Sequence, residues 1–431
     1  MSTVQTGSHA SESLLFFVLV QLVLIIVAAR LAGGLATRLA QSRVVGEIIV
    51  GILLGPSLLG RAAPDLFASI FQSNRPEPMM ILSQIGLILL MFQIGSEFDF
   101  THLADKPNRR AVLRIAAAGM LLPFLLGFLF GWTAAPILSP DAPVLAHALF
   151  TATALSITAL PILGRIMMEF GMTKTPLGVI TISAAAINDV VGWLLLTVVT
   201  AVAVTEFSAA TLAARLAGLT GYVVVTWSIV RPILQGTIER SRARTRTLSP
   251  NLLGLMLACI FVSAIATYEI GIFAIFGGFM MGILVHDQRA FVESWNESVG
   301  RFVTVFFLPI FFTYTGLRTD IGGLNSPSLW AWCALLMALA VLGKFGGCYL
   351  AARWSKRSVA ESKVIGIMMN TRALMELIVI NVGFDLHVIS QNVFTMLVLM
   401  AVLSTVITTP ALRRWLPGTG IAIPRFRRTS D

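Results

Sequence analysis

The pair Asn188-Asp189, in the stretch Ser183-Ala-Ala-Ala-Ile-Asn-Asp-Val-Val-Gly192, places a carboxylate near the middle of an apolar segment running roughly from residue 176 to 204. A charge at bilayer depth costs about 3 kcal/mol even on lenient insertion scales, so Asp189 is a functional candidate whose chemistry calls for a cation or a proton as partner. Two other apolar segments are interrupted by polar residues. In Ala154-Leu-Ser156-Ile-Thr158-Ala-Leu-Pro161, Pro161 cannot donate to the carbonyl four residues earlier, which frees an oxygen near Ile157 beside the hydroxyls of Ser156 and Thr158. In Met369-Asn370-Thr371-Arg372-Ala-Leu-Met-Glu376, Asn370 and Thr371 stand where a matching break would fall. The plainer alternative for the first segment is a proline-kinked helix whose hydroxyls bond to their own backbone.

The deep charges balance. Asp189 and Glu376 are negative, Lys344 and Arg372 positive, so the ionised set sums to zero, and one monovalent cation or one proton added at Asp189 gives the same total. One-for-one, electroneutral exchange follows if Asp189 alone titrates; if Lys344 also loses a proton when the cation binds, the cycle moves net charge. Arg372 and Glu376 are four residues apart and share a helical face, so a buried structural pair is as open as a transport role. Arg372 can also compensate the carbonyl ends of a broken helix.

The elements that must position these residues are membrane-spanning helices. The 431 residues are 56% hydrophobic and only 12% charged, with a mean hydropathy of +0.85, whereas soluble domains carry about 25% charged residues. Apolar spans of about 20 residues number about thirteen, centred near residues 23, 52, 87, 122, 156, 190, 220, 258, 277, 308, 340, 374 and 402. With the N-terminus outside, Arg61, Arg75, Arg215 and Arg318 fall outside and Lys344 and Arg372 within spans, while the rest of the 31 Lys and Arg residues fall on the cytoplasmic side. The reading is an all-α polytopic membrane protein with an extracytoplasmic tail over 1–13, a transmembrane domain over 14–416 and a basic cytoplasmic tail over 417–431.

That bias accounts for the net charge of +10 without nucleic acid as a partner. Arg240-Ser-Arg-Ala-Arg-Thr-Arg246 and Arg425-Phe-Arg-Arg428 are expected to lie against anionic lipid headgroups of the bilayer, the tail having a protein partner as its alternative. Cys259, Cys333 and Cys348 sit in apolar spans and read as small core residues rather than disulfide partners. The first 13 residues carry no Lys or Arg, which points to a retained first helix. No Gly-rich nucleotide fingerprint follows the last span, so neither a cofactor nor an attached nucleotide-binding regulatory domain is expected.

An internal repeat gives the spans a topology. The third ends in Gly95-Ser-Glu97-Phe-Asp99 and the tenth in Gly316-Leu-Arg318-Thr-Asp320; seven spans apart, they cross in opposite directions. Such inverted repeats place substrate near the midplane between discontinuous helices. A glycine followed by charges also simply ends a helix at an interface.

Together with Val45-Gly46-Glu47-Ile-Ile-Val-Gly-Ile-Leu-Leu-Gly-Pro56-Ser-Leu-Leu-Gly60, these motifs resemble the monovalent cation:proton antiporters over nearly the whole chain. The resemblance implies inverted-topology repeats with two broken crossing helices and a core domain that moves against a scaffold domain. It also implies a homodimer through that scaffold, in the plasma (inner) membrane of a bacterium. It makes Asp189 the transient ligand of Na+ or K+, or of a proton, but not of both. Electrogenic relatives carry two adjacent acids; Asn188 at the first position resembles potassium-handling relatives and plant cation/proton exchangers. An amide carbonyl gives a weaker field than a second carboxylate, which favours the more easily dehydrated K+ over Na+, with exchange of both left open.

Rival classes fare less well. A channel needs a continuous polar pathway, and one carboxylate flanked by Ala and Val does not supply it. An intramembrane enzyme needs a nucleophile and base or a metal cluster, and the spans hold no His-x-x-x-His or Cys pair. The stronger rival is a secondary transporter of an organic anion on a similar inverted-repeat fold, since broken helix N-termini can hold carboxylates. Glu47 reads as a satisfied interfacial carboxylate, with ion guidance as its alternative, and His286 beside Asp287 as an interface residue or a pH sensor.

Overall fold

In hydrocarbon every backbone polar group must be satisfied within its own segment, which leaves helices as the form for apolar runs of this length. The computed structural model describes residues 2–39, 41–72, 77–97, 106–172, 175–204, 209–244, 249–271, 274–372 and 374–421, and among these no strand occurs. Asp99 of the first repeat motif and the basic tail Arg425–Arg428 lie outside the described residues. Helix starts are set by short polar caps. Ser249, Ser326 and Ser390 each accept a hydrogen bond from a backbone N–H in the first turn of the helix that follows, and Ser358 with Glu361 forms a reciprocal capping box.

Among the described residues eight helices are long and apolar enough to cross a membrane, or nine if the bent pair Arg289–Gly300 and Val303–Gly323 is one span. The other expected spans, near residues 52, 156, 277 and 374, consist of shorter pieces: Arg43–Leu53, Val144–Ser156 with Leu160–Glu169, Ala274–Val285, and Val359–Met369 with Leu374–Asp385. Length alone does not count a broken helix as a span. Ser2–Arg38 begins ahead of the first apolar run.

The chain divides into two compact units. One comprises residues 1–34, 46–99 and 207–319; the other comprises 35–45, 100–206 and 320–431. In the first unit helices are drawn together by glycines. A Cβ on Gly51 would stand 2.6 Å from Phe312 O, and Cβ atoms on Gly95 and Gly316 would collide with the backbone oxygens of Phe279 and Gly51. Lipid supplies no hydrophobic force between helices, so close backbone approach at small residues is what holds them. Gly95 and Gly316 thus share a packing role, and each stands one residue before the end of its helix, at Ser96 and Leu317.

The second unit contains both broken pairs. It is built from Lys106–Leu138, Val144–Ser156, Leu160–Glu169, Pro176–Val204, Pro327–Val341, Gly347–Trp354, Val359–Met369, Leu374–Asp385 and Gln391–Trp415. Every site residue proposed from the sequence falls within it.

Candidate functional site

The first break spans residues 157–159, where Ile157 is extended at φ −71° and ψ 148°. Pro161 is the second residue of the half-helix that follows, a position where its missing N–H disturbs no intrahelical bond. The second break begins at Asn370, the C-cap of Val359–Met369, and continues through Thr371 and Arg372. The two breaks touch: the Ala159 backbone N–H donates to Thr371 O at 3.2 Å.

Breaking a helix in the membrane exposes carbonyls at one end and N–H groups at the other. At the first break the last three carbonyls of Val144–Ser156 receive cationic donors from elsewhere in the unit. Arg372 Nη1 donates to Ala154 O at 3.2 Å, Arg372 Nη2 to Leu155 O at 2.7 Å, and Lys344 Nζ to Ser156 O. Arg372 also reaches Ala340 O at 3.3 Å and pairs with Glu376 at 3.1 Å. The pair with Glu376 and the compensation of helix-end carbonyls are therefore both present in the geometry. Lys344 is carried into position by the π-helical turn Leu342–Gly346, inserted between Pro327–Val341 and Gly347–Trp354.

The N-terminal ends of the second half-helices face the carboxylates. Leu160 opens Leu160–Glu169, and its backbone N–H donates to the Asp189 side chain. Glu376 lies in the first turn of Leu374–Asp385. The partial positive charge of a helix N-terminus favours an anion in both places. Gly192, one turn beyond the Asn188-Asp189 pair, lets Pro176–Val204 lie against the first break; a Cβ there would stand 2.9 Å from Ile157 Cγ1.

Asp189, Glu376, Lys344 and Arg372 are all at most 2% exposed. Asp189 and Lys344 lie within electrostatic range of each other. Not all the polar atoms are satisfied. Asp189 Oδ1, Thr158 Oγ1 and both amide atoms of Asn188 and of Asn370 are buried without a hydrogen-bond partner among the described residues. Buried polar groups are almost always paired, so oxygens left open on the two breaks and on the adjacent helix suit a dehydrated cation or a proton. These residues carry one charged and several neutral oxygens.

The sequence reading of the two hydroxyls divides. Ser156 Oγ donates to Thr153 O at 2.9 Å, the local backbone bond of the plainer alternative, and it is the Ser156 carbonyl that meets Lys344. Thr158 keeps its hydroxyl open. Thr371 is tied to the last helix, Oγ1 to Thr408 Oγ1 at 3.4 Å, and the Arg372 N–H donates to Thr405 Oγ1 at 3.3 Å. Thr405 and Thr408 were not picked out from the sequence. The signal was there in Ser404-Thr405 and Thr408-Thr409, hydroxyls at helical spacing inside an apolar span. Outside this cluster, Glu47 is buried and pairs with Arg30 at 3.7 Å, and His286 Nδ1 lies 2.7 Å from Ile283 O.

A polytopic helical protein with two interrupted helices meeting at their breaks, and a buried carboxylate at one of the half-helix N-termini, has the architecture of a secondary active transporter. Comparison with known proteins makes the class specific. Residues 22–416 match the family model described as sodium/hydrogen exchanger, transmembrane, and the chain belongs to that family of monovalent cation:proton antiporters. It is an integral membrane transporter and not an enzyme. It is 38% identical over 407 residues to the Na(+)/H(+) antiporter NhaS4 of Synechocystis sp. (strain ATCC 27184 / PCC 6803 / Kazusa), covering 94% of this chain and 98% of that protein. It is 33% identical over 414 residues to Cation/H(+) antiporter 19 of Arabidopsis thaliana; this covers 95% of the chain but 51% of the plant protein, so the chain spans about half the length of that relative. In fold it is similar to the sodium proton antiporter MjNhaP1 from Methanocaldococcus jannaschii, with a TM-score of 0.67, 17% identity and coverage of 95% and 99% of the two chains.

Proposed function

We propose that the protein exchanges a monovalent cation for a proton by alternating access, with K+ favoured over Na+ and one ion moved for each proton. The observation that carries this reading is the single buried Asp189, held by the Leu160 N–H through one side and open at Oδ1. A proton or a cation satisfies that oxygen, and either cancels the same charge, so each excludes the other. Thr158 and Asn188 supply neutral oxygens for the cation, and Asn370 offers another from the second break. Asn188 in place of a second acid weakens the field at the site, which favours the ion with the lower dehydration cost.

Lys344, Arg372 and Glu376 keep the site neutral in this mechanism. Lys344 is engaged with the Ser156 carbonyl, and Arg372 with the two carbonyls before it. In this reading both stay charged through the cycle and only Asp189 changes state. Exchange is then electroneutral. Because Asp189 and both breaks belong to one compact unit, the site can be carried between the two sides of the membrane without being taken apart.

The same reading gives a homodimer in the bacterial plasma (inner) membrane, with the N-terminus outside and the basic loops and C-terminus in the cytoplasm. A reconstituted flux assay tests it. Purified protein in vesicles with an internal pH dye should show proton movement on addition of K+, less on addition of Na+, and the same rate with membrane potential clamped or free. Voltage dependence would implicate Lys344 as a second titrating group; no response to either cation would favour an organic anion as substrate.

A further inference from the structure

A second polar cluster stands in the other unit, at the Ser96 end of Glu77–Ser96. Asn296 Nδ2 donates to Glu97 Oε1 at 2.8 Å, and Gln93 Nε2 donates to the same oxygen at 3.4 Å. With both nitrogens given to the carboxylate, the two carboxamides direct their oxygens elsewhere. Gln93 Oε1 and Asn296 Oδ1 are buried and have no hydrogen-bond partner among the described residues. Both lie against Gly300: a Cβ there would stand 3.0 Å from Gln93 Oε1, 3.0 Å from Gln93 Nε2 and 3.1 Å from Asn296 Oδ1. Glu97 itself has no Lys or Arg partner among the described residues.

The surroundings hold these groups in place. Cβ atoms on Gly95 and Gly282 would collide with Phe279 O and Phe92 O, so Glu77–Ser96 and Ala274–Val285 are in backbone contact just below the cluster. Buried Trp295 packs edge-on against Phe92, with ring centroids 4.6 Å apart. Asn296 opens the π-helical turn Asn296–Gly300. Such turns sacrifice regular helical bonding and occur often at functional sites.

Two amide oxygens, polarised by a carboxylate on their nitrogen side, make an oxygen site of low charge. Calcium and magnesium recruit more carboxylates or an octahedral shell, whereas one negative charge with neutral oxygens suits a monovalent ion. We propose that Gln93, Asn296 and Glu97, beside Gly300, bind a monovalent alkali cation that is not transported. The bound ion ties the π-helical turn to the end of Glu77–Ser96, so occupancy reports cation concentration to the unit that lacks Asp189. This site is independent of the transport reading.

Thermal unfolding of the full-length purified protein in detergent tests it, with KCl or NaCl replacing choline chloride at constant ionic strength. An Asp189→Asn background removes the transport site's own cation binding. That protein should show a saturable rise in Tm, because a ligand bound only to the folded state stabilises it by mass action. Gly300→Ala, which puts a methyl group against the two oxygens without removing a ligand, should raise the half-saturating concentration by about tenfold or more, read as the cation-dependent rise above that variant's own Tm in choline. Glu97→Gln should weaken the response similarly, and it carries the test if Gly300→Ala does not fold, since Glu97 reaches the surface. The proposal is overturned if the Asp189→Asn protein shows no cation-dependent rise, or if neither second substitution changes it. An error in the Asp189 assignment is read separately, as cation/proton flux retained by Asp189→Asn; cation binding left at the transport site would then be insensitive to Gly300→Ala.

Discussion

Both units hold helices together in lipid by close approach at glycines, in the second at Gly127, Gly131 and Gly347, but they differ in the charges they bury. In the unit containing Gly51, Gly95, Gly282 and Gly316, helix backbones are brought into direct contact, and the deeply buried Glu47 has its partner Arg30 at 3.7 Å. In the other unit Asp189, Glu376, Lys344 and Arg372 are all buried, and Lys344 and Arg372 replace the backbone bonds that the first break removes. The contrast teaches where change is affordable. A glycine-packed interface has one good arrangement, whereas a break stabilised by side chains leaves oxygens that can take up and give back an ion.

Substitutions can break or sharpen that contrast. The largest effect is expected at Asp189: replacing it by Asn should abolish exchange in reconstituted vesicles while leaving a folded protein of normal elution volume. Next comes Arg372→Ala, which strands Glu376 and uncaps Ala154 O and Leu155 O. Removing one partner of a buried pair costs about 3–5 kcal/mol, so a fall in thermal stability by that order is expected together with loss of transport. Adding Glu376→Leu should restore only part of that stability, because the carbonyls stay uncapped; complete restoration would reduce Arg372 to a simple ion-pair partner.

In the unit without the breaks, Gly51→Ala should cost about 1–3 kcal/mol by overpacking against Phe312 O, measurable as a lowered unfolding temperature with the cation preference intact. A changed K+ to Na+ ratio there would show that the two units are not separable in function. Smallest is Asn188→Asp, which adds field strength without removing an oxygen. It should shift preference toward Na+ by about tenfold, near 1.4 kcal/mol, and introduce voltage dependence if the added acid titrates. An unchanged profile in competition flux measurements would mean that Asn188 does not face the ion.

Much of the site was legible because charge is conspicuous in an apolar sequence. Asp189, Lys344, Arg372 and Glu376 stand out as costly residues, and Pro161 and Asn370 mark where helices cannot run on. The partners of those charges were not legible, since they are backbone groups. Nothing in the types Ala154, Leu155 and Ser156 announces that their carbonyls receive Arg372 and Lys344, or that the Leu160 N–H meets Asp189. For the same reason Ser156 was expected to act through its hydroxyl, which is spent on Thr153 O. Span counting met a related limit. Hydropathy marks where the chain is apolar, but near residues 156 and 374 each apolar run is two half-helices, a property of backbone conformation at three or four residues.

The central claim is that one carboxylate, Asp189, is shared in turn by a cation and a proton. The most direct test is cation-driven proton movement in vesicles carrying wild-type or Asp189→Asn protein, with K+ and Na+ added separately under a clamped and an unclamped membrane potential. The account predicts voltage-independent exchange, larger with K+, in the wild type and none in the variant. Exchange retained by folded Asp189→Asn protein would contradict it.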